Sequence, residues 1–235
     1  TPWYGLLGSK SGFNSVEECF EEKSKYIFAL ETGLSSDPLM AFRISELDKY
    51  TLVSFSDSHT YIPLRIGREF TTFKLNKLCY EEIYEAIKKK EKSKIVMTGE
   101  FFPEGGKYHF SGHRNCGVNL HPKDATRFNN ICPKCGKKLT IGVLQRVEEL
   151  ADRPEGYIPK DFIPFKHLIP LMEIISEILK TNAYTQTIWK EYNKLIEKFG
   201  NELNVLLNVP KEDLLKVSNE RIADAIIKVR EGKVK

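Results

Sequence analysis

No stretch of this 235-residue sequence is apolar for long enough to cross a bilayer, and none reads as a secretory signal, so no membrane partner is expected. There is no internal repeat and no low-complexity tract, and 41% apolar with 29% charged residues is ordinary globular usage. Charge of one sign is not in great excess. A net charge of +4 and a pI near 8.6 are compatible with a nucleic-acid partner without arguing for one. Cysteine is sparse, at five residues, and Cys19 and Cys79 fit no pairing by spacing, which points to a reducing, cytoplasmic setting. An initiator methionine is also missing. The opening Thr1-Pro2-Trp3-Tyr4-Gly5 reads as the end of one element running into a loop, so the chain is expected to be the C-terminal part of a longer protein.

The remaining cysteines carry the clearest chemistry. His113-Arg-Asn-Cys116-Gly117 is answered by Cys132-Pro-Lys-Cys135-Gly136. Each half pairs two soft ligands across two residues and then turns on a glycine, and a span of about 15 residues between the halves matches a closed tetrahedral zinc site. A redox pair at Cys132 and Cys135 would leave the other half unexplained. His109 and His121 are near enough in sequence to compete with His113. A zinc ion with four protein ligands has no open position for water, so this metal is expected to hold structure only.

Taken in order, the chain alternates helix and strand. Ser15 with Glu18 forms a capping box ahead of Val16, Cys19 and Phe20. Tyr26 to Leu30 reads as a buried strand delivering Glu31 at its end. Asp37 and Pro38 start a helix carrying Leu39, Met40, Phe42 and Leu47, and Thr51 to Phe55 is a second strand. A helix from about Tyr80 to Lys90 and a strand from Lys94 to Phe102 follow. Such alternation implies parallel strands whose C-terminal ends gather ligands. Arg153-Pro154-Glu155-Gly156 reads as a linker, and beyond it Leu168, Leu171, Met172, Ile175 and Leu179 form a helical stripe, followed by Ile188, Tyr192, Leu195, Ile196 and Phe199.

Asp57 and His59, just past a strand end, can both reach one metal, since the chain has left strict alternation there; alternatively Asp57 caps a turn and His59 is solvated. Ser56-Asp57-Ser58-His59 resembles the Asp-x-His metal motif of the polymerase-and-histidinol-phosphatase (PHP) metallohydrolases. Together with Glu31-Thr-Gly-Leu-Ser35-Ser36-Asp37-Pro38, Thr1-Pro2-Trp3, the two cysteine knuckles and Arg146-Val-Glu-Glu-Leu-Ala-Asp-Arg153-Pro154, it is similar to the endonuclease Q family over essentially the whole chain.

That resemblance implies an α/β fold: the C-terminal part of a PHP-type distorted (β/α) barrel over residues 1–102, a small zinc-binding module over 103–152 and an α-helical tail domain over 153–235. It implies a DNA repair endonuclease that hydrolyses the phosphodiester 5′ of deaminated bases such as uracil and hypoxanthine. Asp57 and His59 are then ligands of a cluster of catalytic Mg2+, Mn2+ or Zn2+ ions, alongside the structural Zn2+ of His113, Cys116, Cys132 and Cys135. The His-x-His motif expected upstream in PHP enzymes is not in this sequence, so the 235-residue chain alone is expected to be inactive. Glu31 either steadies the cluster, touches substrate or caps the turn at Gly33. Ser35 and Ser36 are phosphate or base-edge donors, or turn formers.

DNA containing deaminated bases is the expected partner, with a sliding clamp as a further one. Backbone contacts are expected from Lys107, Arg114, Lys123, Arg127, Lys134, Lys137 and Lys138 around the knuckles, with Tyr108, Phe110 and Phe128 as aromatic neighbours and Trp3 as a stacking candidate. A non-catalytic zinc-dependent DNA-binding module and a PHP-type phosphatase are the competing readings. Steep loss of DNA affinity with salt separates the phosphatase from the other two.

Overall fold

The computed structural model describes residues 4–59 and 65–234; Thr1-Pro2-Trp3, including the stacking candidate Trp3, lies outside them. Chain contacts divide these residues into two units. One runs up to Phe55 and resumes over Thr71–Phe165, and the other joins Ser56–Phe70 to the chain from Lys166 onward. The segment 103–152 lies inside the first unit. The Asp57-x-His59 segment groups with the helical unit.

In the first unit, α1 (Val16–Phe20) begins where the Ser15 hydroxyl accepts the Glu18 N–H at 2.9 Å. The Glu18 carboxylate reaches back one residue beyond the cap, to the N–H of Asn14 at 2.6 Å. A 3-10 turn over Glu21–Tyr26 follows, so the first strand, β1 (Ala29–Glu31), starts later than the apolar run suggests. Tyr26 is 62% exposed and is not part of it. Asp37 caps α2 (Pro38–Ala41) by accepting the Met40 N–H at 2.8 Å. That helix stops after a single turn, and Leu47 belongs to a separate 3-10 turn, Ser45–Lys49.

β2 (Thr51–Val53) pairs with β1 in parallel, Ala29 opposite Thr51 and Glu31 opposite Val53, so both strands end level. The pair needs the α2 crossover because parallel neighbours cannot be joined by a tight turn. Then come β3 (Phe70–Phe73), which the sequence reading did not anticipate, α3 (Tyr80–Lys88) and β4 (Ile95–Phe101). Ala86 of α3 and Ile95 of β4 bury against Ile163, with Phe73 and Ile87 at the edge. A second cluster packs Val16, Ile44, Leu47 and Tyr50 with Leu6, Leu7, Leu30 and Leu150.

The cysteine segment contributes β5 (Ser111–His113), β6 (Val118–Leu120) and α4 (Pro122–Arg127), and it is followed by α5 (Val143–Leu150). From Arg146 to Arg153 nearly every charged side chain ties this end to residues more than a hundred positions earlier. Arg146 donates to the carbonyls of Leu7 (2.9 Å) and Phe13 (3.0 Å) and to Asn14 Oδ1 (2.8 Å). Glu148 holds Arg43 with both oxygens, Asp152 takes the N–H and hydroxyl of Ser45, and Arg153 forks onto Asp48 at 2.9 and 2.6 Å. The expected linker is therefore anchored at its first residue. Such charge-assisted bonds are the stronger kind, and they weaken where solvent reaches them.

In the helical unit, Leu168 lies in β7 (Phe165–Leu168) and not on the helical stripe, because Pro170 cannot sit inside a helix and instead precedes α6 (Leu171–Leu179). The unit continues through α7 (Gln186–Phe199), α8 (Glu202–Leu207), α9 (Lys211–Leu214) and α10 (Glu220–Arg230). α6 packs on α7 and α10, and α7 on α8, burying Leu171, Ile175, Ile188, Leu195, Leu206, Ile222 and Ile226. Glu202 accepts from the Leu171 N–H (2.7 Å) and the Tyr192 hydroxyl (3.0 Å), supplying a cap to α6 that its own sequence lacks. No helix among the described residues is long and apolar enough to cross a membrane.

Candidate metal centres

The four residues of the two knuckles converge. One ligand atom from each of His113, Cys116, Cys132 and Cys135 lies within 4.8 Å of the others, and among the described residues this is the one group of three or more such ligands. His113 ends β5 with its Nδ1 3.3 Å from Cys135 Sγ. Gly117 and Gly136 take φ of +60° and +70°, the left-handed turn that lets each knuckle fold back. Gly112 admits no side chain, since a Cβ there would lie 2.4 Å from the Val118 carbonyl oxygen across the β5–β6 pair.

Other histidines are placed elsewhere. Buried His109 has Nδ1 3.1 Å from the Ser35 carbonyl, and His121 caps α4. Three sulfurs this close resist ionising together. The hydrogen bond from Cys135, then burial, pushes Cys116 up to about 11. Burial opposes ionisation of Cys132, yet the N–H groups of Lys134 and Cys135 draw it below the usual thiol range. A donor set of one imidazole and three crowded thiols is what a divalent soft-to-borderline cation satisfies.

The second candidate lies in the helical unit. The Asp57 carboxylate Oδ1 is 3.8 Å from His59 Nδ1, with both side chains open to solvent. His59 Nδ1 is also 2.7 Å from the Asp57 carbonyl. A carbonyl only accepts, so Nδ1 carries the proton and Nε2 presents its lone pair outward. Asp57 adopts φ +45°, an uncommon conformation for a residue with a side chain. Arg68 holds this stretch by donating Nε (3.0 Å) and an Nη (2.8 Å) to the Ser56 carbonyl. Nothing in the sequence marked Arg68.

In the first unit, exposed Glu31 ends β1 and is followed by Thr32, whose hydroxyl donates to Glu100 at 2.8 Å. Glu100 was not anticipated, although an acid after Thr98-Gly99 within an apolar strand is a visible signal. It is fully buried in β4, and burial raises its pKa to about 7 against the hydroxyls of Thr98 and Thr32. Ser35 is buried at 3% exposure, and the Ser36 hydroxyl donates to the Thr32 carbonyl at 2.6 Å, the turn-forming role. Gly106 packs so tightly there that a Cβ would lie 2.5 Å from the Leu34 carbonyl oxygen.

Around the knuckles Lys107, Arg114, Lys123, Arg127, Lys134, Lys137 and Lys138 are all exposed, as is Phe128 at 42%. Lys134 is partly committed, donating to the Cys116 carbonyl at 2.9 Å. Lys107 sits 5.0 Å from the centre of the Tyr108 ring.

Comparison with solved structures matches the entire chain to the lesion-specific endonuclease PfuEndoQ from Pyrococcus furiosus, at a TM-score of 0.88 and 34% identity. The chain is similar to endonuclease Q. An endonuclease Q complex with a 27-mer duplex bearing an abasic lesion at its active site matches equally, also at 0.88 and 34%. In both cases the chain covers 57% of the endonuclease Q polypeptide. Among curated proteins it is 37% identical to MJ0043 of Methanocaldococcus jannaschii, spanning 29% of that protein, and 32% identical to YqxK of Bacillus subtilis, spanning 55%. Residues 170–233 match the family described as the MJ0043 C-terminal domain. The chain thus spans little more than half, or less, of each endonuclease Q structure and relative it matches.

Proposed function

We propose that this chain is part of a metal-dependent DNA repair endonuclease acting 5′ of deaminated bases. The observation that carries the reading is the structural match of this entire chain to 57% of a lesion-specific endonuclease at 34% identity. Asp57 and His59 fit a role as metal ligands, since a carboxylate oxygen and an outward Nε2 from one short turn face solvent together. Bound divalent ions supply a water of lowered pKa and charge stabilisation at the phosphate. For its part the chain orients Asp57 and His59, and the exposed lysines and Arg114 beside the knuckles hold backbone phosphates. The knuckles bind a structural Zn2+ that fixes this basic face. Glu31, at the end of β1, meets substrate or caps the turn at Gly33.

The test is cleavage of a uracil-containing duplex with Mg2+ or Mn2+ by the full-length protein. A 5′ nick that disappears in Asp57→Asn and in chelator supports the reading. Intact DNA under every metal contradicts it, and strong cleavage by the 235-residue chain alone contradicts the expectation that this chain is inactive without further ligands.

A further inference from the structure

Asp57-x-His59 follows β2 in sequence, yet its contacts are with the helical unit. Within that unit Arg68 is the side chain that grips the motif, spending two of its donors on one carbonyl, that of Ser56. A fork of two N–H groups on a single oxygen fixes a peptide plane in a way that one ammonium cannot. The next residue, Asp57, stands at φ +45°, a conformation that persists where its surroundings hold it. The Arg68 side chain is itself half-buried. The charges acting on it are Arg65, Glu69, Glu173 and Asp57, and Glu173 is a half-buried carboxylate in the first turn of α6.

We propose that Arg68 is the positioning residue of the Asp57-x-His59 motif. Arg68 touches no metal and no substrate. It sets the peptide before Asp57 so that the carboxylate and His59 Nε2 open onto the same volume. The inference rests on Asp57 and His59 being metal ligands.

The experiment measures Mn2+ binding to the full-length protein by electron paramagnetic resonance and, in parallel, the Mn2+ concentration that gives half-maximal cleavage. Partners that orient metal ligands typically cost 10- to 100-fold in metal affinity when removed, and roughly that rise is expected for Arg68→Gln. Cleavage at saturating Mn2+ should largely return. Arg68→Lys should stay impaired, because a single ammonium cannot fork, and guanidinium ion at millimolar concentration should restore Mn2+ binding to Arg68→Ala.

Unchanged Mn2+ affinity in folded Arg68 variants overturns the proposal. If Arg68→Gln and Arg68→Ala do not fold, the charge-keeping Arg68→Lys must show a shift in the same direction, and no shift overturns it. Asp57→Asn separates the two ideas. Retained Mn2+ binding and cleavage there removes the ligand reading itself, whereas their loss beside normal Arg68 variants removes only the positioning role.

Discussion

Glu100 is a carboxylic acid enclosed by protein, with two threonine hydroxyls for company and Asp37 as the neighbouring acid. Its ordinary value of 4.5 rises to about 7, chiefly because the charged form loses water. The folded state therefore binds a proton between those two pH values that the unfolded state releases. Stability from this group is full below 4.5 and is lost as pH climbs to about 7, a difference of about 3 kcal/mol. Glu100→Gln should flatten that part of the urea-unfolding profile and leave the variant more stable than the parent at pH 8. A parallel profile in both proteins would show that Glu100 ionises normally. At this scale the sequence was readable where spacing brings soft side chains together, as at Cys116 and Cys132. It was opaque where a role depends on a neighbour brought by folding, as with Arg68 on the Ser56 carbonyl or His109 on that of Ser35.

Among elements, the knuckles and the charged run of α5 carry much of the local order. Cys132, 1% exposed, packs with Ala125 and Leu139, so sulfur and core are lost together in Cys132→Ser. That variant should release zinc, and hydrogen exchange should show the Gly112 and Thr140 amides, which bond to each other's carbonyls, losing protection. Arg146→Ala removes three long-range contacts from a side chain that is 15% exposed and should lower unfolding stability by roughly 2–4 kcal/mol, read from the urea midpoint. The alternation of helix and strand and the capped starts at Ser15 and Asp37 were legible. Strand limits were less so. Tyr26 to Leu30 is too short a run for periodicity to separate strand from turn, and Leu168 keeps helical spacing with Leu171 while Pro170 forbids the helix between them. The Phe70–Phe73 strand was missed although Gly67 turns the chain just ahead of it and Phe-Thr-Thr-Phe favours a strand.

At the scale of the molecule, the exposed cations beside the knuckles predict binding dominated by counterion release. Lys137→Glu with Lys138→Glu should weaken affinity for a duplex and reduce the slope of log affinity against log salt by roughly 2, measured by fluorescence anisotropy. An unchanged slope would place the phosphate contacts elsewhere. The bonds from Arg146, Glu148, Asp152 and Arg153 to residues 7–48 have a separate consequence for biosynthesis. Leu7, Phe13, Arg43, Ser45 and Asp48 leave the ribosome more than a hundred codons before the side chains that complete them. The sheet-bearing part of the nascent polypeptide therefore lacks these braces until translation has passed Arg153.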